Sequence, residues 1–138
     1  MPEITFLTKG VRFTLPGKKK TSDWLSRVAK RKKRKIESLT LIFSSDPFVS
    51  SLNRKYLNHD TLTDIITFDY SESAAIVGEI YISIPRVREN ARIFSQPFEE
   101  ELRRVMVHGL LHILGFGDKT ARQVAQMRRE EEACLSLW

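Results

Sequence analysis

His108 and His112 lie four residues apart in the stretch HGLLHILGFGD, which ends in Asp118. On a helix this spacing puts both imidazoles on one face, one turn apart. Ring nitrogens so placed reach a single ion at about 2.0–2.1 Å. Gly115 follows three residues later, and glycine accepts the left-handed backbone that reverses a chain at a helix end. After such a turn the Asp118 carboxylate can come back towards the ion. Three protein ligands with a fourth position open describe a catalytic zinc site. The pattern keeps the spacing of H-x-x-x-H-x-x-G-x-x-H, with aspartate as third ligand. Zinc peptidases place a glutamate base directly after the first histidine, where this chain has Gly109. Two alternatives stand beside the metal reading. The histidines alone are compatible with a purely structural pair, and Asp118 is a good cap for a helix beginning near Thr120.

The elements that must position these residues can be read from periodicity. Residues 3–8 alternate as a strand, and the GKKK of 17–20 reads as a loop. Thr21, Ser22 or Asp23 is a candidate cap for a helix carrying Trp24, Leu25 and Val28 at helical spacing. A strand over 36–45 leads to Asp46–Pro47, with proline in the first turn of a helix where its missing N–H costs nothing. Strands are predicted over 63–70 and 75–84, and Pro85 opens a helix. The helix over 99–114 begins with Glu99, Glu100 and Glu101, which suit its dipole, and ends at Gly115. A last amphipathic helix starts near Ala121. The expected fold is α+β: one layered domain over residues 1–138, with about four strands in a mixed sheet, about five helices and a zincin-like metal helix. Trp24 and Phe94 are expected in the core, and His59 on a surface loop. Glu79 reads equally as a solvent-facing strand charge and as a cleft residue.

Composition narrows the class. A chain of 138 residues with 41% hydrophobic and 29% charged residues suits one soluble domain. No apolar run has the length of a membrane span, and the N-terminus lacks the layout of a signal peptide. Cys134 is the single cysteine, which excludes an internal disulfide and suits a cytoplasmic protein. Charge is uneven: residues 1–60 hold 14 Lys and Arg against 5 Asp and Glu, and residues 61–138 hold 9 against 12. Lys30, Arg31, Lys32, Lys33, Arg34 and Lys35 form one continuous cationic run. Such a run attracts a phosphate backbone by charge and counterion release. It is also compatible with a solvated lysine-rich loop.

Three stretches together resemble the YbeY endoribonucleases, bacterial rRNA maturation factors. HGLLHILGFGD is similar to that family's H-G-x-L-H-x-x-G-[YF]-x-H, LNRKYLNHDTLTDIITF (52–68) to its L-N-x-x-Y-R-x-x-D-x-P-T-D-V-L-S-F, and GEIYIS (78–83) to its G-D-I-x-I-S strand. The resemblance covers roughly residues 40–120. It implies a metal-dependent, single-strand-preferring endoribonuclease acting on ribosomal RNA precursors in the cytoplasm. The expected partners are RNA and the ribosome or its proteins, with no DNA and no membrane. The implied ligands are His108, His112 and Asp118, holding Zn2+ or another divalent transition metal. Asp64 is a candidate support for a ligand histidine, or a turn residue with Thr63. The family's glycine between the histidines explains Gly109. Two departures from the family matter most: Asp118 replaces a histidine, and Leu57 replaces an arginine whose charge Arg54 or Lys55 would have to supply. An aspartate ligand makes the site more negative and widens metal choice towards manganese or nickel. The rival functions are a metal-dependent peptidase and a non-catalytic ribosome-assembly factor with a structural metal.

Overall fold

The computed structural model describes residues 2–57 and 64–138, with the side chains of Tyr56 and Leu57 left aside. His59, Asp60 and Thr63 therefore lie outside the described residues. The elements run β1 (Glu3–Lys9), α1 (Lys18–Arg31), β2 (Lys35–Ser44), α2 (Asp46–Leu57), β3 (Ile65–Asp69), β4 (Ala75–Ser83), α3 (Ile84–Ile93), α4 (Phe98–Ile113) and α5 (Ala121–Leu135). The four strands form one mixed sheet in the order β1-β2-β4-β3. β1, β2 and β4 are parallel, while β3 pairs antiparallel with β4. This is the α+β fold that the periodicity predicts. No described helix is long and apolar enough to cross a membrane.

Alternation in the two central strands selects the core. Leu39, Leu41 and Phe43 of β2 stand opposite Gly78, Ile80 and Ile82 of β4, and all of them are buried. Against this face pack Trp24, Leu25 and Val28 of α1 and Val107, Leu110 and Leu111 of α4. Each large side chain removed from water here contributes about 1.5–3 kcal/mol. Trp24 completes its burial by donating its indole N–H to Cys134 O at 2.8 Å, which ties α1 to the end of α5. The opposite face carries Tyr81, whose ring lies 5.9 Å from Phe48 of α2.

Three local expectations need correction. Lys18–Lys20 are the first turn of α1 rather than a loop, because Gly17 takes a left-handed conformation (φ 66°) and starts the helix there. Thr21 is consequently inside the helix, with its hydroxyl donating back to Gly17 O. Phe94 is not in the core: it sits just past α3 and is 61% exposed.

Gly78 shows how closely α4 and the neighbouring strand β3 approach β4. A Cβ there would stand 2.8 Å from the Phe68 carbonyl oxygen and 3.0 Å from Ile113 Cδ1. Backbone cannot move aside as a side chain can, so Gly78→Ala should cost about 1–3 kcal/mol by overpacking. Urea denaturation of the two proteins checks this through the shift in midpoint.

Candidate metal centre

The last two turns of α4 present His108 and His112 on one face, and their Nε2 atoms lie 3.1 Å apart. The helix then ends in a Schellman motif. Gly115 N–H donates to His112 O, and Phe116 N–H donates to Leu111 O. Gly115 takes φ 106° to do so, a conformation that disfavours any side chain. The turn returns Asp118 Oδ2 to 3.2 Å from His112 Nε2 and 3.4 Å from His108 Nε2. The capping role suggested for Asp118 belongs to Thr120, which forms a capping box with Gln123 at the start of α5.

The sequence reading missed the residue that orients His108. Glu131 of α5 accepts a hydrogen bond from His108 Nδ1 at 2.5 Å. It is itself buried and held by Arg104 Nη1 at 3.1 Å, while Arg104 Nη2 bonds Glu132. A proton on Nδ1 leaves the Nε2 lone pair facing His112 and Asp118. The available signal was positional. Met127, Glu131 and Cys134 recur at helical spacing as the buried residues of α5, which makes Glu131 a carboxylate on an apolar stripe.

Electrostatics follow this arrangement. Burial opposes charge on His108, but the hydrogen bond and charge of Glu131, with Asp64 and Asp118 behind them, raise its pKa. Burial and the neighbouring His108 lower that of His112. Two ring nitrogens and one carboxylate oxygen converge at 3.1–3.4 Å. Ligands at 2.0–2.1 Å around a tetrahedral ion stand about 3.3 Å from one another. Donor type and spacing both fit a divalent transition metal. Among the described residues, His108, His112 and Asp118 are the one group whose ligand atoms all lie within 4.8 Å.

Asp64 lines the same cleft as His108, Glu101 and Glu131. Its carboxylate accepts from Asn90 Nδ2 at 3.1 Å, with no hydrogen bond to either histidine among the described contacts. Glu79 lies on the other sheet face, where Tyr70 donates to it. At Gly109 a Cβ would meet Ile65 Cδ1 at 2.8 Å and Ile80 Cγ2 at 2.9 Å. That side of α4 lies against the sheet and has no room for a peptidase's glutamate base.

The cationic run divides into two groups. Lys32 Nζ pairs with Glu130 of α5 at 2.9 Å and sits 5.0 Å from the Phe116 ring. Arg34 donates to Ile113 O at the end of α4 and to Ala74 O. These two residues brace the turn that carries Asp118. Lys30, Arg31, Lys33 and Lys35 point to solvent beside them. Arg54 and Lys55 lie in the last turn of α2.

Glu101 adds a pH-dependent signature. Burial raises its pKa above the usual 4.5, with Arg104 opposing. A carboxyl group whose folded pKa is raised stabilises the fold below the ordinary value and loses that contribution as pH rises through the folded value. Glu101→Gln, which mimics the protonated form, should therefore raise the urea midpoint of the metal-free protein at pH 7 and leave it nearly unchanged at pH 4. Paired denaturation curves at the two pH values check the sign.

The family model described as "Endoribonuclease YbeY" matches residues 8–138. The chain is similar to the "Endoribonuclease YbeY" of Amoebophilus asiaticus, 44% identical over 93% of this chain and 88% of that one. It is also similar to that of Flavobacterium psychrophilum, 48% identical over 84% and 83%. A solution structure of a Thermotoga maritima protein superposes with a TM-score of 0.64 at 26% identity, covering 96% of this chain and 87% of that one.

Proposed function

The chain belongs to the YbeY endoribonuclease family, and we propose that it cleaves single-stranded regions of ribosomal RNA precursors with a metal held by His108, His112 and Asp118. Zinc is the first choice, because two imidazoles and one carboxylate form an ordinary zinc donor set. When bound, such an ion polarises a phosphoryl oxygen and makes water acidic enough to act near neutral pH. The observation that carries the assignment is the convergence of two Nε2 atoms and one carboxylate oxygen at 3.1–3.4 Å.

The remaining work falls to the protein's own groups. Glu131 fixes the tautomer of His108 and keeps its Nε2 directed into the site. Arg104 compensates the buried charge of Glu131. The Schellman turn at Gly115 sets the return path of Asp118, and the Asp118 side chain, 42% exposed, leaves the site open on the side from which a phosphodiester can approach. Lys30, Arg31, Lys33 and Lys35, all exposed, are the residues that hold the RNA backbone on this reading. The partners on this reading are precursor rRNA and the assembling ribosome, in the cytoplasm. Stripping the metal with a chelator should abolish RNA cleavage, and one equivalent of zinc should restore it. Cleavage that continues in the metal-free protein would refute the assignment.

The basic face gives a separate test. Replacing Lys30, Arg31, Lys33 and Lys35 with glutamine should weaken binding of single-stranded RNA and flatten the plot of log affinity against log salt by about 3, at about 0.7 per phosphate contact. Lys32 and Arg34 are kept because they brace the turn. Filter binding at four salt concentrations measures the slope, and an unchanged slope would make the run a solvated face only.

A further inference from the structure

Beside the three converging atoms lies a cleft of about 260 Å³ whose lining includes Asp64, Glu101, Arg104, His108, Asp118 and Glu131. Glu101 precedes His108 by seven residues on α4, so it lies two turns away on the same helix face. Its side chain lines the cleft, is only 6% exposed, and makes no hydrogen bond or ion pair among the described residues. Arg104 is near, but its N–H groups go to Glu131 and Glu132. Asp64 accepts from Asn90 Nδ2 and from its own backbone N–H, which leaves further lone pairs on the carboxylate. Burial raises the pKa of both Asp64 and Glu101, with His108 opposing at Asp64 and Arg104 at Glu101.

A cleft with four carboxylates is a poor receptor for a phosphodiester. A cation between carboxylates and phosphate removes the conflict. All-oxygen donors favour hard ions such as Mg2+ or Mn2+, whereas imidazoles favour zinc. We propose that Asp64 and Glu101 form a second cation subsite, for a hard divalent ion, next to the His108–His112–Asp118 group. The contrast in donor chemistry rests on the reading that this group takes zinc; the unpartnered carboxylate of Glu101 and the remaining lone pairs of Asp64 do not depend on it.

The probe is Mn2+ added to zinc-loaded full-length protein, followed by the electron paramagnetic resonance signal of free Mn2+. One Mn2+ should bind per chain in addition to one zinc. Glu101→Gln and Asp64→Asn should each weaken Mn2+ binding at least tenfold while zinc content stays at one per chain, which also shows that the variants are folded. Glu99→Gln, at an exposed neighbour, should change nothing. His112→Ala should lose zinc and keep the Mn2+ site. Mn2+ that stays free with the zinc-loaded wild type overturns the proposal, as does binding that survives Glu101→Gln or vanishes with His112→Ala. If the wild type takes up no zinc, the assignment of the histidine site fails; a Mn2+ signal still sensitive to Glu101→Gln would then uphold the subsite alone.

Discussion

Asp118→Ala is expected to lower zinc affinity by about 100-fold or more and to take RNA cleavage down with it. Losses of 10–100-fold follow even from removing groups one shell away from a metal, and Asp118 supplies one of the three converging atoms. The change should leave the fold intact, because the turn is made by Gly115 and the start of α5 is capped by Thr120. Chelator competition measures the affinity, and a circular dichroism spectrum checks the fold. Asp118→His should restore binding with a shift in preference from manganese towards zinc, since imidazole suits the softer ion. Full zinc affinity in Asp118→Ala would mean that the carboxylate is a bystander.

The second large effect is expected at Glu131, which touches no ion on this account. Glu131→Ala removes the acceptor for His108 Nδ1–H and one of the two partners of Arg104. His108 is then free to rotate or to place its proton on Nε2, where it blocks metal binding. Zinc affinity should fall by about 10–100-fold. Leaving a buried donor unpaired should also cost about 1–3 kcal/mol of stability in the metal-free protein. Glu131→Gln keeps an acceptor but no charge and should lie between wild type and alanine in both measurements. A stability loss without an affinity loss would reduce Glu131 to a packing role.

The parts of this protein that were legible in the sequence are those set by local chemistry. The spacing of His108, His112, Gly115 and Asp118 is decided within one helix and one turn, so pattern alone brings them together. The strands were legible from the alternation of residues 3–8 and from the β-branched and aromatic content of 63–70. What escaped depends on contacts between distant elements. Glu131 reaches His108 only because α5 folds back along α4, and within the run Arg128–Glu132 it looks like any surface acid. The cationic run looked uniform, yet Lys32 and Arg34 are drawn inward by Glu130 and the Ile113 carbonyl while their neighbours stay in solvent. The start of α1 was placed too late because three lysines after a glycine read as a loop, and the left-handed Gly17 that begins the helix has no side-chain signature. The exposed Phe94 is the opposite error, an aromatic assigned inward on its type alone.

The most direct test of the account is RNA cleavage measured as a function of zinc occupancy in the wild type and in His112→Ala, with metal content determined on the same samples. The predicted result is a wild-type rate that rises in proportion to zinc and levels off at one ion per chain, with no cleavage by His112→Ala at matched zinc concentrations. Cleavage by His112→Ala at the wild-type rate, or a wild-type rate that ignores zinc occupancy, would contradict it.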